Sequence, residues 1–177
     1  MKELQYFIVK AVSRLKREKH KETIHRYFRN QGMKLGEGVN ICSNIVTTES
    51  HLIEIGDYTT VSANVTFITH DNSICKVLKG YSDLFGKIVI GKNCFIGSNA
   101  IVMYGVTLAD HIIVAAGSVV TKSFREEGII IGGNPARKIS TWDAFADKNR
   151  DYAWNLGSIS REQEIALHKD EVKLIHR

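Results

Sequence analysis

"IGKNCF IGSNAI VMYGVT LADHII VAAGSV VTKSFR", residues 90–125, decides the fold. Read in sixes from Ile90, its first position is always apolar: Ile90, Ile96, Val102, Leu108, Val114, Val120. The second position is usually small (Gly91, Gly97, Ala109, Ala115), and the fifth is mostly small or β-branched (Cys94, Ala100, Val106, Ile112, Ser118). An α-helix turns every ~3.6 residues and cannot hold a period of six. Working outward, Leu35 and Ile41, then Ile55, Val61 and Phe67, repeat the same spacing. Hexapeptide self-similarity marks a parallel β-helix. Three units make one triangular coil, with the aliphatic position inward and Gly or Ala relieving the corners. The expected fold class is therefore mainly β.

The period breaks at "VTFITHDNS", residues 65–73. From Phe67 to Ile90 is 23 residues, which is not a multiple of six. The segment 71–87 must leave the coil as a protruding loop and return, and loops of this length are commonly functional. Ile74, Val77, Leu78, Tyr81, Leu84 and Phe85 make it too apolar for a solvated tail. It is expected to pack on a neighbouring coil or a ligand. His70 stands at its mouth. A lone histidine is usually an ordinary turn residue, but the break in period and the apolar loop make this one a candidate site residue. Asp71 is adjacent and would point the other way on an extended strand, so it is not expected to orient the histidine.

The coil is flanked on both sides, giving three regions: an arm over 1–34, the β-helix over 35–139 and a helical tail over 140–177. Residues 2–30 read as helical, with Leu4, Phe7, Ile8, Ala11 and Leu15 on one stripe and Gly32 to stop it. After Arg125, "III" (129–131) reads as a short buried strand closed by a "GGNPA" turn. The tail carries a capping box, Ser160 to Gln163. Its simplest role is to cover the open end of the coil.

The chain has 177 residues and a net charge of +5, unevenly placed. Residues 1–34 hold ten Lys/Arg against three Glu, so the rest of the chain is close to neutral. No basic stripe runs along the body, which argues against nucleic acid as a partner. A basic amphipathic arm can instead lie on an anionic membrane surface, or pack on the body or a second subunit. No apolar run approaches the ~20 residues of a membrane span. Cys42, Cys75 and Cys94 are odd in number and lack close spacing, which fits a reducing, cytoplasmic location, also compatible with the inner face of the membrane.

"IGSNAIVMYGVTLADHIIVAAGSVVTK" and "GGNPARKI" resemble the hexapeptide-repeat acetyltransferases, and the likeness covers roughly residues 35–139. Within that family the chain looks most like the sugar and surface-polysaccharide O-acetyltransferases. The resemblance implies a left-handed parallel β-helix, acetyl-CoA as co-substrate, and a homotrimer with active sites between subunits. It implies that His70 is the general base. It also implies coenzyme A contacts from Ser98, Ala116, Thr121, Lys122 and Arg137, with Phe95 where several relatives have a tryptophan beside the thioester. The amide near Ser98 would stabilise the oxyanion. The acceptor side would draw on Asn44 and on the loop residues Tyr81 and Phe85.

The chemistry suits these residue types. A thioester is already activated, so the protein must chiefly position two substrates and remove a hydroxyl proton. Histidine, with an ordinary pKa of ~6.5, accepts such a proton at neutral pH and contributes about 10²–10⁴ in rate. Cations suit coenzyme A phosphates. No metal is expected. The zinc enzymes built on hexapeptide coils need three histidines, and His51 and His111 lack the spacing. The readings that compete with sugar O-acetylation are N-acetylation of a xenobiotic or amino sugar, and a non-enzymatic β-helix module.

Overall fold

The computed structural model describes residues 2–15, 20–155, 160–169 and 175. They fall into two compact units, 1–139 and 140–177.

The first unit is a coil of very short strands. β1 (Lys34–Leu35), β2 (Asn40–Ile41), β3 (Ile53–Ile55), β4 (Thr60–Val61) and β5 (Thr66–Phe67) lead to the loop. The loop is bounded by β6 (His70–Asp71) and β7 (Leu84–Phe85). Beyond it run β8 (Ile88–Ile90), β9 (Phe95–Ile96), β10 (Ile101–Val102), β11 (Thr107–Leu108), β12 (Ile113–Val114) and β13 (Val119–Val120). β14 (Ile129–Gly133) and β15 (Ala136–Thr141) follow. Three sheets form the walls, in the orders β1-β3-β8-β11, β5-β10-β13 and β2-β4-β9-β12-β14-β15.

The register confirms the hexapeptide reading residue by residue. Ile41 pairs with Val61, Val61 with Ile96, Ile96 with Val114 and Val114 with Ile131, all in parallel. Phe67, Val102 and Val120 form the second column. Leu35, Ile55, Ile90 and Leu108 form the third. All of these except the half-buried Leu35 are core residues. Each fully buried aliphatic side chain contributes roughly 1.5–3 kcal/mol. The columns explain why the first position must be apolar, and the fifth position (Cys94, Ala100, Val106, Ile112, Ser118) is buried beside it at each corner.

Corners explain the small second position. A Cβ on Gly97 would lie 2.6 Å from the Ala116 amide nitrogen, on the next coil. At the same corner Asn64, Asn99 and Gly117 take left-handed φ values of 58°, 60° and 71°, a conformation that Gly and Asn tolerate best.

The arm is two helices, α1 (Lys2–Leu15) and α2 (His20–Asn30), not the continuous helix read from sequence. Gly32 (φ 96°) ends α2 as expected. Its amide donates to Arg29 O and that of Met33 to Phe28 O, the paired bonds of a Schellman motif. Tyr6 of α1 is buried against Tyr27 and Phe28 of α2, and its hydroxyl donates to Ser43 O at 3.1 Å. The apolar stripe does not pack on the chain's own body, one of the expected alternatives. Leu4, Phe7 and Ile8 are 66%, 61% and 54% exposed, and Ala11 is exposed too, while the Leu15 side chain lies outside the described residues. α2 covers the first coil: Arg29 donates to Leu35 O at 2.9 Å, and His25 Nε2 lies 2.7 Å from Val39 O.

In the second unit, α3 (Trp142–Asn149) is capped by Thr141, whose hydroxyl oxygen accepts from the Ala144 amide. α4 (Arg161–Leu167) opens on the expected Ser160–Gln163 capping box.

Candidate active site

His70 opens β6, separated from the end of β5 by Ile68 and Thr69, where the chain turns out of the coil. Its neighbour Thr69 is buried and fixes the backbone there. The imidazole is 45% exposed, and its Nδ1 lies 2.9 Å from Glu49 Oε2. Glu49 comes from the coil below. Its first turn holds 20 residues, Ile41 to Val61, against 18 in the regular turn from Ile96 to Val114. The two extra residues let 47–49 pass beneath Thr69 and His70. The hydroxyl of Thr69 donates to Glu49 Oε2 at 2.7 Å and meets the Thr47 hydroxyl at 2.7 Å, while the Thr48 hydroxyl bonds Glu49 Oε1.

These bonds hold the Glu49 carboxyl down to about 2. The Thr48 hydroxyl is the largest cause, with Thr69 and His70 adding to it against the opposing effect of partial burial. An ionised carboxylate only accepts, so Nδ1 of His70 donates to it. A neutral ring then keeps its lone pair on Nε2, the state a general base requires.

Asp71 is engaged elsewhere, as expected. It accepts from the Ser73 amide at 2.8 Å and from the Tyr104 hydroxyl at 3.3 Å. Those contacts, the Ser73 amide foremost, lower its pKa. They also tie the loop's exit to the coil above.

The loop closes as an antiparallel pair, His70 opposite Phe85 and Asp71 opposite Leu84. The Phe85 ring lies 6.0 Å from that of His70. Tyr81 lies outside this pairing and is exposed. The expectation that the apolar loop packs does not hold within one chain: Val77, Leu78, Tyr81 and Phe85 remain exposed.

The remaining candidates divide between corners. The register of Phe67, Val102 and Val120 puts Thr121 and Lys122 two coils above Ile68 and Thr69, on the His70 corner. Both are exposed, and Lys122 Nζ lies 5.5 Å from the Phe124 ring centre. Ser98 and Ala116 stack at the preceding corner, where Ser98 O accepts from the Gly117 amide at 2.9 Å. Asn44 lies on that same corner in the first coil, by the pairing of Ile41 with Val61. Phe95 projects outward from β9, and Arg137 is exposed on β15. A single chain thus joins His70 with Glu49 and Phe85 but does not bring Asn44 or Tyr81 to them. Sequence reasoning missed Glu49. Its signal was the 14-residue step from Ile41 to Ile55, where 12 would keep the period.

Among the described residues no group of three or more His, Cys, Asp or Glu is placed to hold a metal ion. The three cysteines are free, and burial pushes the Cys94 thiol up to about 11. No helix of the described residues is long and apolar enough to cross a membrane.

A family model described as "Hexapeptide repeat of succinyl-transferase" matches residues 87–122. The chain is 39% identical over 136 residues to Protein CapG of Staphylococcus aureus, covering 72% of this chain and 78% of that one. It is 30% identical over 97 residues to the galactoside O-acetyltransferase of Escherichia coli K12, covering 54% of this chain and 47% of that one. A hexapeptide-repeat acetyltransferase from Vibrio cholerae, solved with acetyl coenzyme A, shares the fold. Its TM-score is 0.53 at 21% identity, over 76% of this chain and 87% of that one. The coil, its register and these likenesses agree: the chain is a left-handed parallel β-helix and belongs to the hexapeptide-repeat acetyltransferase family.

Proposed function

We propose that this protein transfers an acetyl group from acetyl-CoA to a sugar hydroxyl, with His70 as general base and Glu49 holding it. The observation that carries the reading is the 2.9 Å contact between His70 Nδ1 and an ionised Glu49 at the mouth of the loop. The sugar is suggested by the likeness to a galactoside O-acetyltransferase. A surface polysaccharide or its precursor is the acceptor class we favour.

The step is a direct transfer. As the acceptor oxygen attacks the thioester carbonyl carbon, its proton passes to His70 Nε2. The tetrahedral intermediate collapses, the C–S bond breaks, and the coenzyme A thiolate takes the proton back from the imidazolium. Glu49 stabilises that cation without accepting its proton. An amide near Ser98 would receive the developing oxyanion. Phe95 and Ala116 would flank the pantetheine, and Thr121, Lys122 and Arg137 its phosphates. Phe85, Tyr81 and Asn44 would contact the acceptor. The exposed apolar side chains of the loop support a homotrimer in which the loop of one copy covers the site of the next. The unpaired cysteines support a cytoplasmic place of action.

Calorimetric titration with coenzyme A and acetyl-CoA, followed by transfer assays on sugar acceptors, tests the reading. Saturable binding, an alkali-labile acetyl ester and intact binding without transfer in His70→Ala are expected. No binding at millimolar ligand would overturn the enzyme reading. An alkali-stable product would replace the ester by an amide and make the protein an N-acetyltransferase.

A further inference from the structure

α1 turns its two faces in opposite directions. Tyr6, the buried residue, and the half-buried Val9 turn toward α2 and the coil. Leu4, Phe7, Ile8 and Ala11 lie on the opposite side and are all exposed. At 100° per residue these four span one arc of the helix, roughly 100° wide. A soluble helix buries its apolar arc against its own protein, so an outward arc of Leu, Phe and Ile marks a surface made for something else.

The charge around the arc says what that is. Residues 1–34 carry ten Lys/Arg against three Glu, in a chain whose remainder is close to neutral. Lys10, whose Nζ lies 5.7 Å from the Tyr6 ring centre, sits at the edge of the arc on the side of Phe7. Arg14 follows one turn later in sequence. On α2 Lys21 is exposed, while Arg26 pairs with Glu22 at 3.3 Å and Arg29 is held by the Leu35 and Gly36 carbonyls. In a helix-to-helix contact a second copy of this chain would bring an equally cationic helix against this one, and like charges would oppose it. An anionic lipid surface supplies both the apolar layer and the opposite charge.

We propose that α1 docks the protein on an anionic bilayer, lying in the interface plane with Leu4, Phe7 and Ile8 below the headgroups. Lys10, at the edge of the arc, would meet the lipid phosphates. The docking is peripheral and salt-sensitive, because one short arc combined with screened charges gives reversible attachment. It adds a location to the chemistry and does not depend on it.

The test is sedimentation of the full chain with two kinds of vesicle, phosphatidylcholine alone and an equal mixture with phosphatidylglycerol. Binding to the mixed vesicles only, released by high salt and weakened about tenfold or more in Phe7→Ser, is expected. Leu4→Ser should behave alike, so a folding failure in one variant does not spoil the result. Transfer to a soluble acceptor without vesicles should be unchanged in both, which separates this docking from the acetyltransferase reading. Failure to sediment with the mixed vesicles, or equal binding by wild type and both variants, overturns the proposal. So does a fall in solution mass by light scattering in Phe7→Ser, which would assign the face to contact between copies.

Discussion

Glu49 Oε2 lies 2.9 Å from His70 Nδ1, and Thr69, the residue beside that histidine, donates to the same oxygen at 2.7 Å. One carboxylate oxygen therefore fixes both the ring and the backbone turn that carries it. Glu49→Gln keeps the shape but offers Nδ1 an N–H, which favours the tautomer with its proton on Nε2. We expect kcat to fall about 10²-fold or more with little change in the KM for acetyl-CoA. Equal turnover in wild type and Glu49→Gln would remove Glu49 from the mechanism.

The same contact sets a pH dependence. The Glu49 carboxyl is held down to about 2 from an ordinary 4.5, chiefly by the Thr48 hydroxyl. A depressed carboxyl stabilises the fold above its unfolded pKa and loses that contribution as pH falls through the folded one. The difference in unfolding midpoint between wild type and Glu49→Gln should be full near neutrality. It should shrink from about pH 4.5 downward and vanish near pH 2. A constant difference across that range would show that Glu49 is not the titrating group.

Lys122 and Arg137 carry the proposed phosphate contacts. Lys122→Gln and Arg137→Gln should each raise the KM for acetyl-CoA several-fold, an effect that added salt diminishes, with kcat nearly unchanged. Titration of each variant with coenzyme A checks this directly.

At the Gly97 corner a methyl group has nowhere to go, since Ala116 N and Val114 O would each be 2.6 Å away. Gly97→Ala should cost about 1–3 kcal/mol in a urea melt. The Ser98 and Ala116 corner should distort with it, so coenzyme A affinity should fall in the same variant.

Tyr6→Phe removes a buried donor from Ser43 O. A loss of about 0.5–1.5 kcal/mol is expected. Transfer to a soluble acceptor should persist, because the arm lies outside the His70 corner.

How much of this was legible follows from where the period holds. Ile90, Ile96, Val102 and Leu108 announce the coil because each wall of the prism places one inward aliphatic residue at the same point of every six. His70 was legible for the converse reason, as the residue where the count fails. Glu49 was not: the 14-residue step from Ile41 to Ile55 blurs the register of the coil that carries it. In α1 the pattern gave the helix and its stripe but not the stripe's partner. Leu4, Phe7 and Ile8 form an amphipathic stripe, but periodicity gives the width of a face and not its direction. The buried contact instead came from Tyr6, whose ring packs on Phe28 while its hydroxyl finds a backbone carbonyl.

The hydrogen bonds from Arg29 to Leu35 O and between His25 and Val39 O have a meaning beyond local order. A stack of parallel strands is an open-ended template, and nothing in the hexapeptide rule tells it where to begin. Without α2 the first rung would offer its edge to the last rung of another molecule. Head-to-tail growth of that kind makes a fibre. The helix is thus a terminator, and a chain trimmed to its repeats should polymerise where the whole protein does not.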